Sequence, residues 1–273
     1  MTKTYAVIGD PIDHSLSPAL YNPAFTFLGL DCVYIAYRIP KGELDYGIKD
    51  LKKIHIAGFN VTTPHKVDMM RLLDDADDEC RLVGATNTVV NTDGYLKGYN
   101  TDVDGFLDPI RKRKIDCKGC DVLLIGAGGA ARAIVAGFAK EKIHKITIAN
   151  RTYERAEEVV NFAKQLGLES DYLDLARAGD MVKNFRFIVN ATSVGLKGMG
   201  CPISTKNISK DSIVYDIVYT PVETPLIKQS KEQRATIIYG WEMLLAQAMK
   251  SFEIWTGKPA PYEAMKLTLL GRF

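Results

Sequence analysis

The chain has 273 residues and a net charge of +2 at pH 7; 47% of its residues are hydrophobic and 25% are charged. This balance is typical of one large or two modest globular domains, and it favours neither a nucleic-acid surface nor an acidic tail. No apolar run reaches the length of a membrane span, and the N-terminus lacks a signal-peptide pattern, so we expect a cytoplasmic protein.

The first hundred residues alternate between strand-like and helix-like segments. Asp93 and Gly94 mark the turn of a hairpin that follows the segment Gly84–Val90 and returns through the strand YLKGY (95–99). The predicted strands are Tyr5–Gly9, Cys32–Arg38 and Ile54–Val61, and the predicted helices are Ala19–Leu28, Leu44–Lys53 and Lys66–Leu73.

Two hydroxyls follow the first strand. Ser17 stands before Pro18, and serine and proline are preferred at the N-cap and the first helical position, so capping alone explains Ser17. Ser15 is not needed for that cap. Two hydroxyls in one loop also suit a polyol or carboxylate ligand, because a hydroxyl both donates and accepts hydrogen bonds. Both explanations stay open, and the neighbouring His14 is more readily structural than catalytic.

Lys66 and Asp102 are candidate acid/base residues. Pro64 turns the chain, which places Lys66 at the start of a predicted helix, where the helix dipole disfavours a cation. The same field favours the neutral amine, which suits proton transfer. Asp102 follows the return strand of the hairpin, and it either caps the next helix, predicted to begin near Asp104, or pairs with Lys66. An ordinary surface lysine is the alternative for Lys66.

A glycine-rich turn in the middle of the chain predicts a dinucleotide site. The buried-strand pattern Val122–Ile125 leads into G-x-G-x-x-A, and a helix is predicted over Ala130–Lys140. Gly126 allows the tight turn, Gly128 lets a pyrophosphate approach the backbone, and Ala131 permits close helix packing. The strand and helix around the motif favour nucleotide binding over a merely structural turn.

Arginines after the next strand predict which dinucleotide binds. An NAD enzyme is expected to carry an acidic residue about twenty residues after the glycine turn, for the ribose 2′-hydroxyl. This chain has Asn150, Arg151 and Thr152 after the predicted strand Lys145–Ala149, and then Arg155. An arginine pairs with a 2′-phosphate, which an acid repels, so we expect NADP(H). An exposed helix residue is the alternative for Arg155.

The last third of the chain contributes two further candidates. Tyr219 follows a predicted strand, and it is either a ligand contact or a packed ring. Gln247 lies beside the apolar stripe of a predicted helix, as a site residue or a polar neighbour of the core. The predicted elements here are the strands Phe187–Asn190, Ile213–Val218 and Thr236–Tyr239 and the helix Met243–Trp255.

The five cysteines are expected to be reduced thiols. Cys117 and Cys120 form a C-x-x-C spacing, but no second pair of cysteines or histidines supplies the other two ligands of a zinc site. We expect no metal and a plain turn at this place, with redox use of the pair as the alternative.

Nine segments, in this order, resemble the shikimate dehydrogenase family over almost the whole chain. They are HSLSP (14–18), NVTTPHK (60–66), GATNTV (84–89), GYNTD (98–102), GAGGAARA (126–133), NRTYER (150–155), NATSVG (190–195), DIVYTP (216–221) and WEMLLAQ (241–247).

The resemblance implies an α/β protein with two domains, an N-terminal α/β substrate domain and a Rossmann-like dinucleotide-binding domain, with a cleft between them. Residues 1–103 plus 240–273 would form the substrate-binding and catalytic domain, and residues 104–239 the NADP-binding domain. The implied activity is the reversible NADPH-dependent reduction of 3-dehydroshikimate to shikimate in aromatic amino-acid biosynthesis. The implied partner is this small molecule, without nucleic acid or membrane, and the chain would be a monomer or homodimer.

The resemblance also implies roles by position. Lys66 would be the general acid/base, paired with Asp102, and Ser15 and Ser17 would hold the substrate carboxylate. The other substrate contacts would be Thr62, Asn87, Tyr219 and Gln247. The cofactor contacts would be Asp78, the pyrophosphate turn Gly126, Ala127, Gly128, Gly129 and Ala130, the adenosine-phosphate group Asn150, Arg151, Thr152 and Arg155, and Ile217 and Gly240 on the nicotinamide side.

Four residues depart from the family pattern: Tyr21, Thr86, Asp104 and Leu196 stand where histidine, valine, a small residue and methionine are common. Two other functions stay open. A quinate or quinate/shikimate dehydrogenase shares most motifs but often favours NAD. Arg151 and Arg155 oppose this alternative, because they favour NADP. A catalytically silent NADP-binding regulator is opposed by the intact Lys66 and Asp102.

Overall fold

The computed structural model describes residues 2–13 and 15–273, and the chain divides into two compact units. The first unit comprises Met1–Asp102 and Leu245–Arg272, and the second comprises Val103–Leu244 with the terminal Phe273. Strands and helices alternate along the chain, which confirms the predicted α/β class. Within the described ranges, no helix is both long and apolar enough to cross a membrane.

The strands are β1 (Lys3–Gly9), β2 (Cys32–Arg38), β3 (Gly58–Val61), β4 (Asp75–Ala76), β5 (Thr88–Thr92), β6 (Tyr95–Tyr99), β7 (Asp121–Ile125), β8 (Lys145–Ala149), β9 (Glu169–Leu173), β10 (Phe187–Asn190), β11 (Ile213–Asp216) and β12 (Thr236–Tyr239). The α-helices are α1 (Ser17–Phe27), α2 (Leu44–Lys53), α3 (Asp78–Val83), α4 (Asp102–Lys112), α5 (Gly129–Lys140), α6 (Tyr153–Gln165), α7 (Leu175–Met181), α8 (Pro225–Glu232), α9 (Gly240–Thr256) and α10 (Tyr262–Leu270). Short 3-10 helices occur at Asp68–Leu72, Val182–Asn184 and Leu196–Gly198.

The first unit contains a mixed six-stranded sheet with the order β2-β1-β3-β5-β6-β4. β1 pairs in parallel with β2 and β3, whereas β5 runs antiparallel to both β3 and β6. The ends of β1, β3 and β6 therefore lie at the same edge of the sheet as the start of β5. We call this the carboxyl edge of the first sheet. Loops from four different parts of the sequence meet there.

The C-terminal part of α9 packs on this sheet through aromatic rings. Residues alternate in direction along β1, so that Ala6 and Ile8 join an aliphatic core on one face while Tyr5 points to the other. The Trp255 indole N–H donates to the carbonyl of Val89 at 3.0 Å. The rings that pack together are Tyr5, Tyr21, Phe25, Tyr34, Phe252 and Trp255.

The second unit contains a parallel six-stranded sheet with the order β12-β11-β10-β7-β8-β9. Numbered from β7, this is the 3-2-1-4-5-6 order of the Rossmann fold, because the chain runs outward on one side and then returns to build the other. The order reverses between β7 and β10. In open sheets of this kind, ligands bind outside the carboxyl ends of the strands at the reversal point.

Two predicted elements of the first unit are wrong in extent. The strand predicted over Ile54–Val61 begins only at Gly58, because the chain still turns at His55, whose φ is +52°. The helix predicted over Lys66–Leu73 is a 3-10 helix over Asp68–Leu72. It is short because Asp74 pairs with the backbone of Leu96 in β6, which requires extended chain after residue 72.

Candidate active site

Lys66 and Asp102 form an ion pair at the carboxyl edge of the first sheet. Lys66 lies in the loop after β3, and Asp102 follows β6 as the first residue of α4. The Lys66 Nζ lies 2.5 Å from Asp102 Oδ2, and the two side chains are only 17% and 7% exposed. An ion pair so far removed from water is stronger than a surface pair and holds both groups in a defined position.

Asn87 fixes the other oxygen of this carboxylate. Its Nδ2 donates to Asp102 Oδ1 and to the Thr101 hydroxyl, both at 2.9 Å. The Thr101 backbone N–H donates to Asn87 Oδ1 at 2.8 Å, so the amide can only face Asp102 with its nitrogen. Asp102 thus receives Lys66 on one oxygen and Asn87 on the other.

A buried group of polar side chains forms a hydrogen-bond network next to Asn87. Ser251 on α9 lies 2.7 Å from the Thr88 hydroxyl, and it accepts from Asn60 Nδ2 at 3.2 Å. Asn60 Nδ2 also donates to the Asn87 carbonyl at 3.0 Å. Asn60, Thr101 and Ser251 were not among the predicted site residues. Their signal was weak: Asn60 and Thr101 stand inside recognised motifs, and Ser251 lies one helical turn after Gln247.

Gln247 joins the same edge through α9. Asn87 Nδ2 approaches its Oε1 at 3.4 Å, and Ser251 donates to its carbonyl at 3.0 Å. Thr62 lies in the loop directly after β3, where its N–H donates to the carbonyl of Ile8 at 2.9 Å. The structure therefore brings Lys66, Thr62, Asn87 and Gln247 to one edge of the sheet.

The hydroxyl that accepts a backbone N–H at the start of α1 belongs to Ser15 and not to Ser17. The N-cap residue of α1 is Leu16, not Ser17, and no described side chain caps this helix, so the predicted Ser17 cap is wrong. The helix begins one residue early because the Leu20 N–H donates to the Leu16 carbonyl. The Ser15 hydroxyl accepts from the Ser17 N–H at 3.3 Å instead. His14, in the same motif, lies outside the described residues.

In the second unit, the glycine turn is crowded at one glycine and open at the other. Gly126 has a φ of +106°, and a Cβ there would lie 2.7 Å from Thr192 Cγ2 and 3.1 Å from the Ala191 backbone. Gly128 is exposed at the N-cap position of α5, where a Cβ would meet no heavy atom of the described chain within 4 Å. Ala131 is fully buried, as close helix packing requires.

This turn fits a dinucleotide phosphate. No side chain within residues 2–13 and 15–273 caps α5, so its N-terminus presents backbone N–H groups and a positive dipole end, beside the reversal point between β7 and β10. The turn comprises Gly126, Ala127, Gly128, Gly129 and Ala130.

The predicted phosphate-binding arginines lie in the loop after β8 and in the first turn of α6. Arg151 and Thr152 are exposed in this loop, next to the strand that carries the glycine turn, and Arg155 is exposed in the first turn of α6. Asn150 closes this loop by donating from Nδ2 to the Thr152 carbonyl at 2.8 Å. The two exposed guanidinium groups suit a 2′-phosphate.

The remaining cofactor and substrate candidates fall in both units. A Cβ on Gly240 would lie 2.5 Å from the carbonyl oxygens of Ile217 and Val218, so the start of α9 packs directly on the loop after β11. Tyr219 lies in that loop, and burial raises the pKa of its phenol. Asp78 lies in the first unit, exposed in the first turn of α3, where the helix dipole favours an acid.

Alanine substitutions at the two glycines are expected to separate folding from cofactor binding. Gly126→Ala forces a side chain into strained backbone and into Thr192, so it should lower the free energy of unfolding by about 1–3 kcal/mol. Gly128→Ala should change it by less than about 0.5 kcal/mol but weaken NADPH binding. Urea unfolding of the ligand-free variants and NADPH titration measure both. Equal destabilisation by the two substitutions would contradict the crowding argument.

Cys117 and Cys120 lie in a turn before β7. The Cys120 N–H donates to the Cys117 carbonyl at 3.1 Å, and burial raises the pKa of the Cys117 thiol to about 12. That thiol is therefore protonated at neutral pH, which does not suit redox exchange. Among the described residues, no cluster of three His, Cys, Asp or Glu side chains suits a metal ion.

Comparison with known proteins identifies relatives of the chain. Three family models match, described as the shikimate dehydrogenase substrate binding domain over residues 7–89, shikimate/quinate 5-dehydrogenase over residues 110–199, and the shikimate 5′-dehydrogenase C-terminal domain over residues 240–270. A shikimate dehydrogenase (NADP(+)) of Nitrosopumilus maritimus is 59% identical over 273 residues, which is 100% of both chains. The chain belongs to the shikimate dehydrogenase family.

Solved structures of the family have the same fold. A Thermus thermophilus shikimate dehydrogenase in complex with NADP(H) and shikimate matches with a TM-score of 0.89 at 31% identity, covering 100% of both chains. A quinate dehydrogenase of Corynebacterium glutamicum in complex with NAD matches with a TM-score of 0.91 at 27% identity, covering 99% of both chains. The similarity thus includes two related activities.

Three of the departures from the family pattern have a visible environment. Tyr21 is fully buried, and its hydroxyl donates to the carbonyl of Ala248 at 3.1 Å, next to Gln247. The buried Thr86 hydroxyl donates to the Tyr99 carbonyl at 2.9 Å. Leu196 is exposed in the loop after β10. Tyr21 thereby fixes the part of α9 that carries a predicted site residue.

Proposed function

We propose that the chain catalyses the reversible NADPH-dependent reduction of 3-dehydroshikimate to shikimate, a step of aromatic amino-acid biosynthesis. The observation that carries this proposal is the shielded Lys66–Asp102 pair, with Asn87 on the second carboxylate oxygen. A ketone reduction needs one group that gives a proton to the carbonyl oxygen as the hydride arrives at carbon. A lysine held in place by a carboxylate supplies that proton.

The proposed chemistry assigns the proton to Lys66. NADPH, when bound, supplies the hydride that reduces the carbonyl carbon. Lys66 gives a proton from Nζ to the carbonyl oxygen, which becomes the hydroxyl of the product, and it takes that proton back in the oxidation direction. Asp102 holds the Nζ group in place through Oδ2. Asn87 keeps the carboxylate from rotating away, because it occupies Oδ1.

The substrate contacts remain proposals by position. Ser15 and Ser17 would bind the carboxylate from the loop after β1. The Asn87 amide nitrogen already donates to Asp102 and Thr101, and its Oδ1 already accepts from the Thr101 N–H, so we assign Asn87 chiefly to positioning Asp102. We also propose that Thr62, Asp102 and Gln247 contact the ring hydroxyls of the substrate and that Tyr219 lies near the substrate.

We assign substrate binding to the first unit and NADP(H) binding to the second. The uncapped start of α5 and the open Gly128 support pyrophosphate binding at residues 126–130. The exposed Arg151 and Arg155 support binding of the 2′-phosphate. Ile217 and Gly240, which pack against each other, are proposed to line the nicotinamide side. Asp78, in the first unit, is proposed as a cofactor contact only because its position matches the family pattern.

Quinate oxidation is the second candidate function. It is favoured by the fold shared with the quinate dehydrogenase and by the family model that covers both substrates. Arg151 and Arg155 oppose this function, because they suit the 2′-phosphate of NADP, whereas quinate dehydrogenases often favour NAD. A silent NADP-binding regulator would need neither a shielded lysine nor its carboxylate partner.

Initial rates separate these functions. Shikimate and quinate oxidation are measured, each with NADP and with NAD, by the absorbance of the reduced nicotinamide. Rapid turnover only with shikimate and NADP is the expected result. Turnover of quinate with NAD would assign the second function, and tight NADPH binding without turnover of either substrate would assign the regulator.

A further inference from the structure

Asp216 is a buried carboxylate that the proposed chemistry does not use. It ends β11 in the second unit and is fully buried. A buried charge is costly unless donors surround it. Three donors do so: Asn190 Nδ2 at 2.9 Å and the Val218 N–H at 3.0 Å reach Oδ1, and the Thr224 hydroxyl reaches Oδ2 at 2.6 Å. Burial raises the pKa of this carboxyl, while the same three hydrogen bonds oppose the rise.

The hydrogen bonds of Asp216 connect the loops that follow two neighbouring strands. Asn190, which ends β10, uses its second Nδ2 hydrogen on the Val194 carbonyl at 3.1 Å, and its Oδ1 accepts from the Thr192 N–H and hydroxyl at 3.1 and 2.7 Å. The loop after β10 is therefore closed around Asn190. Asp216 holds the amide of Asn190 in the orientation that makes this closure possible.

The same loops touch the glycine turn and the start of α9. Thr192, held by Asn190, lies 2.7 Å from the place of a Cβ on Gly126. Val218, held by Asp216, presents its carbonyl 2.5 Å from the place of a Cβ on Gly240. A movement of either loop would therefore displace the turn or the residues proposed to bind the cofactor.

We propose that Asp216 is a positioning residue for NADP(H), whose carboxylate fixes the loops after β10 and β11 against the glycine turn. It touches neither reacting atoms nor substrate in this role. The inference rests on the proposed function, since it takes the second unit as the NADP(H)-binding unit.

Asp216→Asn is the first variant. The amide keeps one oxygen for Asn190 and Val218, but its NH2 group cannot accept a hydrogen bond, so the Thr224 hydroxyl loses its acceptor. Losing this hydrogen bond, together with the charge that strengthens the other two, is expected to raise the NADPH Kd roughly tenfold. Shikimate binding without cofactor should not change. NADPH Kd is read from nucleotide fluorescence, and shikimate Kd from calorimetry.

Thr224 offers a second test if Asp216→Asn fails to fold. Thr224→Val removes the donor to Oδ2 and should weaken NADPH binding in the same way, whereas Thr224→Ser keeps the hydroxyl and should bind NADPH within about twofold of wild type. Ser212→Ala is the matched control. Ser212 is buried just before β11, at the other end of the strand, and donates to the Phe185 carbonyl at 2.9 Å, so its loss should lower stability alone.

The outcomes separate the inference from the function. Weaker NADPH binding in Asp216→Asn and Thr224→Val, with normal binding in Thr224→Ser and Ser212→Ala, supports the positioning role. A lower melting temperature with unchanged NADPH Kd overturns it and leaves the proposed function intact. A wild-type chain that binds NADPH but does not oxidise shikimate overturns the function alone, and one that does not bind NADPH overturns both.

Discussion

Replacing Lys66 with alanine is expected to lower kcat by about 10²- to 10⁴-fold, the usual contribution of a general acid/base. Nζ is the one proton donor that we assign to the carbonyl oxygen, and alanine has no atom to replace it. The Asn87 hydrogen bond to Asp102 Oδ1 does not involve Lys66, so the carboxylate keeps one partner. Shikimate binding should therefore survive while the chemical step is lost.

The measurement combines steady-state rates in both directions with shikimate calorimetry. Lys97→Ala is the matched control, since Lys97 also pairs with an aspartate in the first unit, at 2.9 Å from Asp75, but at the surface. It should leave kcat within about twofold, as expected for a surface ion pair. Small primary amines should partly restore the rate of Lys66→Ala. Near-normal turnover of Lys66→Ala would remove this residue from its proposed role.

Replacing both Arg151 and Arg155 with alanine is expected to raise KM for NADP about a hundredfold and to change KM for NAD little. A hydrogen bond to a charged group contributes about 1.5–3 kcal/mol, and exposure of both side chains reduces the sum. NAD lacks the 2′-phosphate, so the arginines have nothing specific to bind there. The preference for NADP over NAD should fall accordingly.

Rates with each nucleotide at saturating shikimate, and the Kd for each reduced nucleotide, give this ratio. Lys164→Ala removes one cation from the last turn of α6, the helix that carries Arg155, and serves as the control for losing a surface charge from this helix. It should leave both KM values unchanged. A loss that is equal for NADP and NAD would mean that the arginines act on the loop rather than on the 2′-phosphate.

Much of the second unit could be predicted because its signals are local. The strand, the glycine turn and the helix of residues 121–140 are consecutive. The tight turn, the approach of the phosphate and the close helix packing each depend on a residue within this one segment. The predicted helix start, Ala130, differs from the observed Gly129 by one residue. The hydrogen bonds of the buried Asp216 could not be predicted, because its partners Asn190 and Thr224 come from different parts of the chain.

The first unit shows where local signals mislead. Ser17 before Pro18 has the composition of a cap, yet the N-cap is the preceding residue, Leu16, and Ser15 supplies the hydroxyl that accepts from the Ser17 N–H. The Lys66–Leu73 segment has a helical pattern, yet the pairing of Asp74 with β6 limits it to one 3-10 segment. In both cases a backbone hydrogen bond outside the predictive pattern determined the outcome.

The sequence by itself determined the α/β class, the family, and the residue types of the candidate site. It did so through motifs in which neighbouring residues fulfil one physical requirement. Only the tertiary structure decided that Lys66 and Asp102, 36 residues apart, form a shielded pair. It also decided that Asn60 and Ser251, 191 residues apart, are joined by a hydrogen bond in the network next to Asn87. The reason is the strand order of the first sheet, whose parallel and antiparallel pairings bring four distant loops to one edge, and no pattern along the chain specifies that register.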